Sequence, residues 1–324
     1  MAEMLLQVRN LTTRFRTEAG WVTAVDDVSF DLAAGETLAI VGESGSGKSV
    51  TALSMLRLIP RPPGEITGGS VVFEGRDLCQ ATDAEMQAIR GNRIAMIFQE
   101  PMTSLNPSLT LGVQVGEPLV LHRGANWAAA FAKAGELLGR VRIPDAQARV
   151  RAYPHQMSGG QRQRAMIAMA LACQPRLIIA DEPTTALDVT VQAQILALLK
   201  ELTRETGAAL ILITHDLGVV ARYADRVAVM YGGRMVETAS ARALYRTPRH
   251  PYTEGLLASI PRLDQVAGRR LIPIEGQPPD LTRLPPGCAF RPRCRRASAP
   301  CETTRPALAE AAPGHWKACL NDAA

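Results

Sequence analysis

The chain has 324 residues, 47% of them hydrophobic and 21% charged, which is typical of a folded globular protein with roughly two domains. No apolar run approaches the ~20 residues that span a bilayer, which argues against a membrane-embedded chain. Residues 1–7 lack the basic and apolar regions of a signal peptide, so we predict a cytosolic chain that would reach a membrane only through partner subunits.

The net charge is +5, and it is concentrated near the C-terminus, where residues 262–301 hold eight arginines and three acidic residues. Such a basic segment can contact nucleic acid or anionic lipid, but an ordinary solvated surface is the more common case and the one we favour. Four of the six cysteines lie in the last 40 residues, whereas Cys79 and Cys173 are isolated.

Apolar alternation predicts strands of an antiparallel sheet at 5–13 and 22–32, a buried strand at 38–41 and a helix at 50–56. In chain order there follow predicted strands at 69–74 and 93–98, a mostly helical stretch at 112–152, a helix at 159–173, a strand at 177–180, an amphipathic helix at 189–206, a strand at 209–214 and a hairpin of 227–231 with 234–237. Strands that alternate with helices predict an α/β fold with a mostly parallel sheet covered on both faces. Prolines become frequent from about residue 246, so a boundary near 245–250 is expected, and no internal repeat is visible.

The strongest motif lies between the strand at 38–41 and the helix that follows it. It reads Gly42-Glu43-Ser44-Gly45-Ser46-Gly47-Lys48-Ser49 and fits the phosphate-binding pattern G-x-x-x-x-G-K-[S/T]. Glycines allow the backbone to wrap a phosphate chain while amide N–H groups and a helix N-terminus point at it. Lys48 is then expected to reach the β- and γ-phosphates and Ser49 to bind Mg²⁺. A chance Gly/Ser turn is the alternative.

Two acidic residues end the apolar strand at 177–180. Asp181 can hold the Mg²⁺ shell, and Glu182 can polarise an attacking water as a general base. Many strands end in acids, so the phosphate motif upstream is what favours this interpretation.

A third element, Met157-Ser158-Gly159-Gly160-Gln161, opens the helix at 159–173. Free N–H groups and the positive end of the helix dipole make it a second anion site, alongside the simpler interpretation of an N-cap followed by flexible glycines. A second phosphate-binding element is useful if it serves a nucleotide held by another subunit.

The order and spacing of these motifs, with Gln99, Asp188 and His215, resemble an ATP-binding cassette (ABC) ATPase over residues 5–245. The resemblance implies an ABC nucleotide-binding domain at 1–248, with a P-loop core, an antiparallel β subdomain and a helical subdomain at about 103–165, followed by an extension at 249–324. It further implies that two cassettes pair head to tail, each ATP lying between one phosphate loop and the partner's Ser-Gly-Gly helix.

The same resemblance implies roles for single residues. Gln99 would sense Mg²⁺ and water and contact a membrane subunit, Asp188 would lie at the dimer seam, and His215 would contact the γ-phosphate. The family stacks an aromatic ring on adenine; Phe15 aligns best with that role, and Trp21 is the alternative.

Segments at 98–107, 153–156, 188–192 and 249–253 narrow the resemblance to the ATPase subunits of dipeptide and oligopeptide importers. This implies a second, distinct ATPase subunit, two membrane permease subunits, an extracytoplasmic peptide-binding protein and a place on the cytoplasmic face of the membrane, without nucleic acid. Nickel, glutathione or another small solute as cargo, and a soluble DNA-repair or translation ATPase, remain alternatives. Residues 249–287 are expected to pack against the partner ATPase.

The C-terminal cysteines are spaced Cys288-x5-Cys294-x6-Cys301-x17-Cys319. Four thiolates can hold Zn²⁺ or an iron–sulfur cluster, and the C-x2–4-C pairs of structural zinc are missing. The resemblance to importer ATPases implies a [4Fe-4S] cluster. Zinc, four unrelated thiols, and a redox-sensing role that regulates the ATPase are the alternatives.

Overall fold

The structure is a computed structural model that describes residues 3–185, 187–260 and 273–321. The chain divides into two compact units: the first consists mainly of Gln80–Ile213 with Ala33–Glu36, and the second contains Met4–Leu32, Thr37–Cys79 and the residues after Ile213. In the parts of the chain that the structure describes, none of the helices combines the length and apolarity that a membrane crossing requires.

The strands are β1 (Met4–Thr17), β2 (Gly20–Ala33), β3 (Thr37–Val41), β4 (Gly64–Phe73), β5 (Arg76–Asp77), β6 (Ile94–Ile97), β7 (Leu177–Asp181), β8 (Ala209–Thr214), β9 (Arg226–Tyr231), β10 (Arg234–Ser240), β11 (Ala309–Ala312) and β12 (His315–Lys317). The helices are α1 (Lys48–Met55), α2 (Asp83–Ile89), α3 (Pro101–Ser104), α4 (Leu111–Arg123), α5 (Trp127–Arg140), α6 (Ala146–Arg149), α7 (Gly159–Leu171), α8 (Val189–Thr206), α9 (Leu217–Tyr223), α10 (Ala241–Arg246), α11 (Pro251–Ala258) and α12 (Pro300–Thr303), with 3-10 turns at Pro154–Gln156 and Arg291–Arg293.

The first unit is built on the parallel strands β6, β7 and β8. β7 lies in the middle and is buried along its whole length, which explains its unbroken apolar sequence. α8 begins at its N-cap Asp188 and ends at Gly207, whose φ of 68° is left-handed, so the predicted helix at 189–206 is confirmed. α4, α5 and α7 pack on one another in the same unit, which confirms the predicted helical stretch.

The second unit holds two sheets. One has the strand order β2-β1-β4-β5 and is antiparallel where β1 pairs with β4 and β4 with β5, as predicted for the N-terminal strands. In the other sheet, β3 is parallel to β9. The pairs β9–β10, β10–β12 and β12–β11 are all antiparallel. The prediction of a mostly parallel arrangement is therefore wrong for this unit. Short loops connect β9 to β10 and β11 to β12, and such loops can only join antiparallel neighbours.

The C-terminal residues belong to the core of this second unit. Tyr252 in α11 is fully buried and packs against Tyr231 and Phe290, with ring centroids 4.6 and 5.4 Å away. The start of α11 thus packs within its own chain, and the expected contact of residues 249–287 with a partner ATPase stays a prediction. β12 adds a further connection, because it pairs with β10 through Glu237 and Lys317.

A buried carboxylate joins these C-terminal elements. Glu237 in β10 is 0% exposed and accepts hydrogen bonds from the backbone N–H of Arg249 at 2.6 Å and of His250 at 2.9 Å. Its Oε1 also lies 2.6 Å from Nε2 of His315 in β12. One side chain therefore holds the start of α11 and the final hairpin on the same strand.

We predict that Glu237→Ala destabilises the folded chain by about 3 kcal/mol or more, because each buried donor left without a partner costs about 1–3 kcal/mol. Glu275→Ala is the matched control, since the side chain of Glu275 forms an exposed ion pair with Arg295, and its loss should cost below about 0.5 kcal/mol. Urea unfolding of both variants measures the difference, and equal free energies of unfolding would contradict the role given to Glu237.

Candidate nucleotide-binding site

The phosphate-binding motif forms a tight loop between β3 and α1, in the second unit. Gly42 and Gly47 have φ angles of 153° and 101°, and a Cβ on either would lie within 2.5 Å of a backbone oxygen, at Met230 for Gly42 and at Ala24 for Gly47. The loop therefore has no room for side chains at these two positions, which leaves its backbone N–H groups accessible to a phosphate.

Lys48 lies at the start of α1 and is 4% exposed. Its Nζ donates to the carbonyl oxygens of Gly42 at 2.8 Å and Glu43 at 2.9 Å, so the ammonium group is held over the loop. Among the described residues no side chain caps the N-terminus of α1, where Ser49 occupies the first turn. The positive end of the helix and the lysine thus share one location, which suits an anion.

The two aromatic candidates for adenine stacking differ in their surroundings. The Phe15 ring is partly buried beside Gly64, where a Cβ would lie 2.7 Å from its Cε1 atom. Trp21 is 50% exposed, and the Arg14 guanidinium lies 4.2 Å from the centroid of its ring. The Phe15 ring thus packs closely against the backbone of Gly64, whereas the Trp21 ring already stacks with a cation.

The acidic pair lies at the end of β7, in the first unit. Asp181 is 5% exposed, and Glu182 follows it with a left-handed φ of 43°, which is unusual for a residue with a side chain. The backbone N–H of Glu182 donates to the carbonyl of Ile213 at 2.9 Å, which holds this turn against β8. Unusual backbone geometry at a carboxylate is a frequent feature of functional sites.

The Glu182 carboxylate accepts hydrogen bonds from the side chains of Gln99 and Thr185. Its Oε2 accepts a hydrogen bond from Nε2 of Gln99 at 3.1 Å and one from Oγ1 of Thr185 at 3.0 Å. The structure therefore brings Gln99 and Glu182 together, as the proposed roles require. Thr185 was missed by the sequence analysis, although its position three residues after Glu182 is a spacing at which turn side chains meet.

The Ser-Gly-Gly element begins α7, also in the first unit. The Ser158 Oγ accepts from the N–H of Gln161 at 3.3 Å, and the Gln161 Oε1 accepts from the N–H of Ser158 at 3.0 Å, so the two form a capping box. A Cβ on Gly160 would lie 3.1 Å from Val191 of α8. Asp188 caps α8 in turn, with Oδ1 accepting from the N–H of Val191 at 2.9 Å. Ser158 and Asp188 are exposed caps, so both have a structural role whatever else they do.

His215 directly follows β8, in the second unit, and is exposed. The N–H of Asp216 donates to Thr214 Oγ1 at 3.1 Å, which shapes the turn after the strand. The predicted site residues are thus divided: the phosphate loop and His215 belong to the second unit, and the acidic pair, Gln99 and the Ser-Gly-Gly helix belong to the first.

The four C-terminal cysteines, Cys288, Cys294, Cys301 and Cys319, line one small cavity together with His250 and Phe290. All four are free thiols. Burial raises the pKa of the Cys288 and Cys294 thiols. Burial acts in the same direction on Cys301, but hydrogen bonds with Ser298 and Asn321 outweigh it and lower the pKa of that thiol. Within the described ranges, no group of three or more His, Cys, Asp or Glu residues is close enough to hold a metal ion.

In the described part of the basic segment, four arginines pair with carboxylates of the second unit. The ion pairs are Arg291–Glu302, Arg293–Glu43, Arg295–Glu275 and Arg296–Glu254. These arginines therefore connect residues 291–296 to the rest of the second unit.

Comparisons with known proteins agree with this geometry. Residues 25–185 match the family described as ABC transporter, and residues 236–301 match the one described as Oligopeptide/dipeptide transporter, C-terminal region. The dipeptide transport ATP-binding protein DppD of Bacillus subtilis is 53% identical over 317 residues, covering 98% of this chain and 94% of the relative. The oligopeptide transport ATP-binding protein OppD of Salmonella typhimurium is 52% identical over 319 residues, with the same coverage.

A solved structure of a dimeric ATP-binding cassette, MJ0796 bound to ADP and Pi, superposes with a TM-score of 0.65 at 31% identity, covering 73% of this chain and 99% of that one. Fold and motifs thus define an ATPase with an ABC nucleotide-binding domain, as the sequence analysis expected. The chain belongs to the ABC transporter family, among the dipeptide and oligopeptide transport ATP-binding proteins.

We predict that Gly47→Ala destabilises the nucleotide-free chain more than Gly45→Ala does. Both positions have positive φ, which costs an alanine about 1–2 kcal/mol. A Cβ at Gly45 would meet nothing within 4 Å, whereas one at Gly47 would lie 2.5 Å from the Ala24 oxygen and force the backbone to move. Urea unfolding without nucleotide separates the two effects; equal losses would show that the loop is not packed as tightly as described.

Proposed function

We propose that the chain is the ATP-hydrolysing subunit of an importer of di- and oligopeptides, in which ATP binding closes a pair of cassettes and hydrolysis reopens them. The observation that carries the proposal is the likeness to dipeptide and oligopeptide transport ATP-binding proteins over 98% of the chain. It includes the C-terminal region at 236–301, which a general ABC match does not cover. ATPase activity itself follows from membership of the family.

The phosphate loop provides the groups that bind Mg²⁺-ATP. In this proposal the Lys48 ammonium, which the carbonyls of Gly42 and Glu43 hold over the loop, contacts the β- and γ-phosphates, and the Ser49 hydroxyl would be a ligand of Mg²⁺. Asp181 would also bind the ion, since a buried carboxylate at a strand end is a suitable ligand for a hard cation. Phe15 stacks on adenine.

Hydrolysis uses Glu182 as the general base toward water. Its hydrogen bonds with Gln99 and Thr185 hold the carboxylate in one orientation, so that one oxygen can accept a proton from the attacking water. Gln99 then contacts both the base and the Mg²⁺-bound water, and His215 contacts the γ-phosphate. Positioning of the water is the main catalytic task, because phosphoryl transfer needs little covalent help.

A second cassette completes each site. The exposed Ser158 and Gly159 at the start of α7 present backbone N–H groups and the positive end of a 13-residue helix to the outside of the chain. We infer that this end, with Gln161 and with Asp188 at the seam, binds the γ-phosphate of an ATP held on a partner ATPase, a distinct chain in the proposed complex. The helix of this chain closes the partner's site in return.

The remaining partners of the complex are membrane components. Two permease subunits would dock near residues 99–106, beside the hydrolysis site. Closure of the cassettes would then switch the peptide path from outward-facing to inward-facing. An extracytoplasmic protein would deliver the peptide. This places the chain peripherally on the cytoplasmic face of the membrane.

The cysteine-lined cavity is the proposed site of a [4Fe-4S] cluster. Its four thiols line one cavity, and four cysteine thiolates are the usual ligand set of such a cluster. The spacing also lacks the close cysteine pairs of structural zinc. Phe290 and Leu320 add apolar side chains to the lining. When bound, the cluster would supply structural cross-links or redox sensitivity.

We predict that Glu182→Gln retains ATP binding but lowers turnover at least about 100-fold, because the amide cannot accept the proton. In proteoliposomes that contain the membrane subunits and both ATPases, wild-type protein should import labelled dipeptides with ATP and the variant should not. Uptake of nickel or glutathione instead of peptides would contradict the proposed cargo, and normal turnover by the variant would remove Glu182 from the mechanism.

For the cluster we predict about four irons and four sulfides per chain after anaerobic purification, with loss of both in Cys301→Ser. Cys79→Ser, which changes a thiol outside the cavity, is the matched control. Since the pKa values of the Cys288 and Cys294 thiols are raised, lower pH should protonate these ligands and weaken retention of the metal. One zinc per chain and no iron would overturn the cluster in favour of zinc.

A further inference from the structure

The phosphate loop is held by a residue from the opposite end of the chain. Arg293, in the 3-10 turn Arg291–Arg293, donates from Nη1 and Nη2 to the two carboxylate oxygens of Glu43 at 2.6 and 2.9 Å. Glu43 is the second residue of the phosphate-binding motif. The Arg293 side chain is only 5% exposed, so this two-pronged contact is shielded from water.

The environment of Arg293 makes this contact specific. Its Nε donates to the carbonyl of Glu275 at 3.0 Å, and the guanidinium lies 5.9 Å from the ring centroid of Tyr231 and 6.0 Å from that of Phe290. The planar guanidinium therefore has one defined orientation, with both of its terminal nitrogens directed at Glu43. Its neighbour Arg295 forms only an exposed pair with Glu275, which offers an internal comparison.

A second residue from the C-terminal region holds the backbone of Glu43. The hydroxyl oxygen of Tyr252 accepts a hydrogen bond from the Glu43 N–H at 2.8 Å. Tyr252 is fully buried, and burial raises the pKa of its phenol, which stays neutral. Both the main chain and the side chain of Glu43 are thus fixed by residues that lie more than 200 positions later in the sequence.

Glu43 is in direct contact with the residue that reaches the nucleotide. The carbonyl oxygens of Gly42 and Glu43 accept the hydrogen bonds of the Lys48 ammonium at 2.8 and 2.9 Å. Displacement of Glu43 would therefore shift the lysine and the amide groups beside it. Two successive contacts therefore connect the C-terminal region to the phosphate site: Arg293 and Tyr252 bind Glu43, and Glu43 binds Lys48.

We propose that Arg293 and Tyr252 are positioning residues for ATP binding, which hold the phosphate loop in the conformation that accepts the β- and γ-phosphates. The C-terminal region then sets the ATP affinity of its own cassette. This inference relies on the proposed assignment of residues 42–49 as the phosphate loop. It assigns to the C-terminal region a task within the nucleotide site, in addition to any cluster it holds.

The test measures Mg²⁺-ATP binding by calorimetry on the full chain in a Glu182→Gln background, where hydrolysis does not interfere. Arg293→Gln should raise the Kd for Mg²⁺-ATP about tenfold, Arg293→Lys somewhat less because it lacks the planar fork, and Tyr252→Phe about threefold. Arg295→Gln is the matched control and should bind as the parent protein does. In the hydrolysing chain, Arg293→Lys should raise KM for ATP with little change in kcat, a split that a general loss of folding would not produce.

A double-mutant cycle identifies the contact itself. If Glu43 and Arg293 act as a pair, Glu43→Gln combined with Arg293→Gln should bind no more weakly than the worse single variant. Additive losses would overturn the proposal, as would parent-like affinity in Arg293→Gln, Arg293→Lys and Tyr252→Phe. Lys48→Ala distinguishes the phosphate-loop assignment from the positioning role. If Lys48→Ala loses ATP binding while the Arg293 variants bind like the parent, the phosphate loop is confirmed and only the positioning role is refuted. Unchanged binding in Lys48→Ala would refute both.

Discussion

The nucleotide site depends on the close approach of bare backbone at two glycines. Gly42 lies against Met230 in β9 and Gly47 against Ala24 in β2, so the phosphate loop is enclosed by two different sheets before any ligand arrives. The hydrogen bond from the Gly233 N–H to the Ser46 carbonyl at 3.1 Å adds a third point of contact, at the β9–β10 turn. A loop held in this way keeps its amide groups oriented without a side chain, which is the condition for binding phosphate with little reorganisation.

Each of the two units carries its own set of chemical groups. The second unit holds the anion-binding loop, and the first holds the carboxylates and Gln99, which would act on magnesium and water. The start of α7 fits neither function within its own chain, because Ser158 and Gly159 form an exposed helix end while Gly160 lies against Val191 of α8. The proposed partner cassette would use this helix end, and the solved cassette of similar fold is itself dimeric.

Local patterns predicted most of the fold because its central strands and helices are long, apolar and clearly bounded. A continuous apolar run marks the strand that precedes the phosphate loop. A capping aspartate and a left-handed glycine mark the two ends of the helix at 189–206.

The C-terminal region had no such signal. Pro251 looks like a helix breaker, yet it occupies the first turn of α11, where its missing N–H costs nothing. β11 is alanine-rich and only four residues long, and β12 has three, so neither shows an alternating pattern. The pair of Glu43 and Arg293 is separated by 250 positions, and no local spacing can reveal it.

The final hairpin also determines how the mixed sheet ends. β12 occupies the side of β10 that faces away from β9, and β11 lies beyond it. Without residues 309–317, the backbone N–H and C=O groups on that side of β10 would have no strand of this hairpin to pair with. An open edge of this kind favours association with other chains. The hairpin therefore protects the edge of β10, and a variant that lacks it would be prone to aggregation.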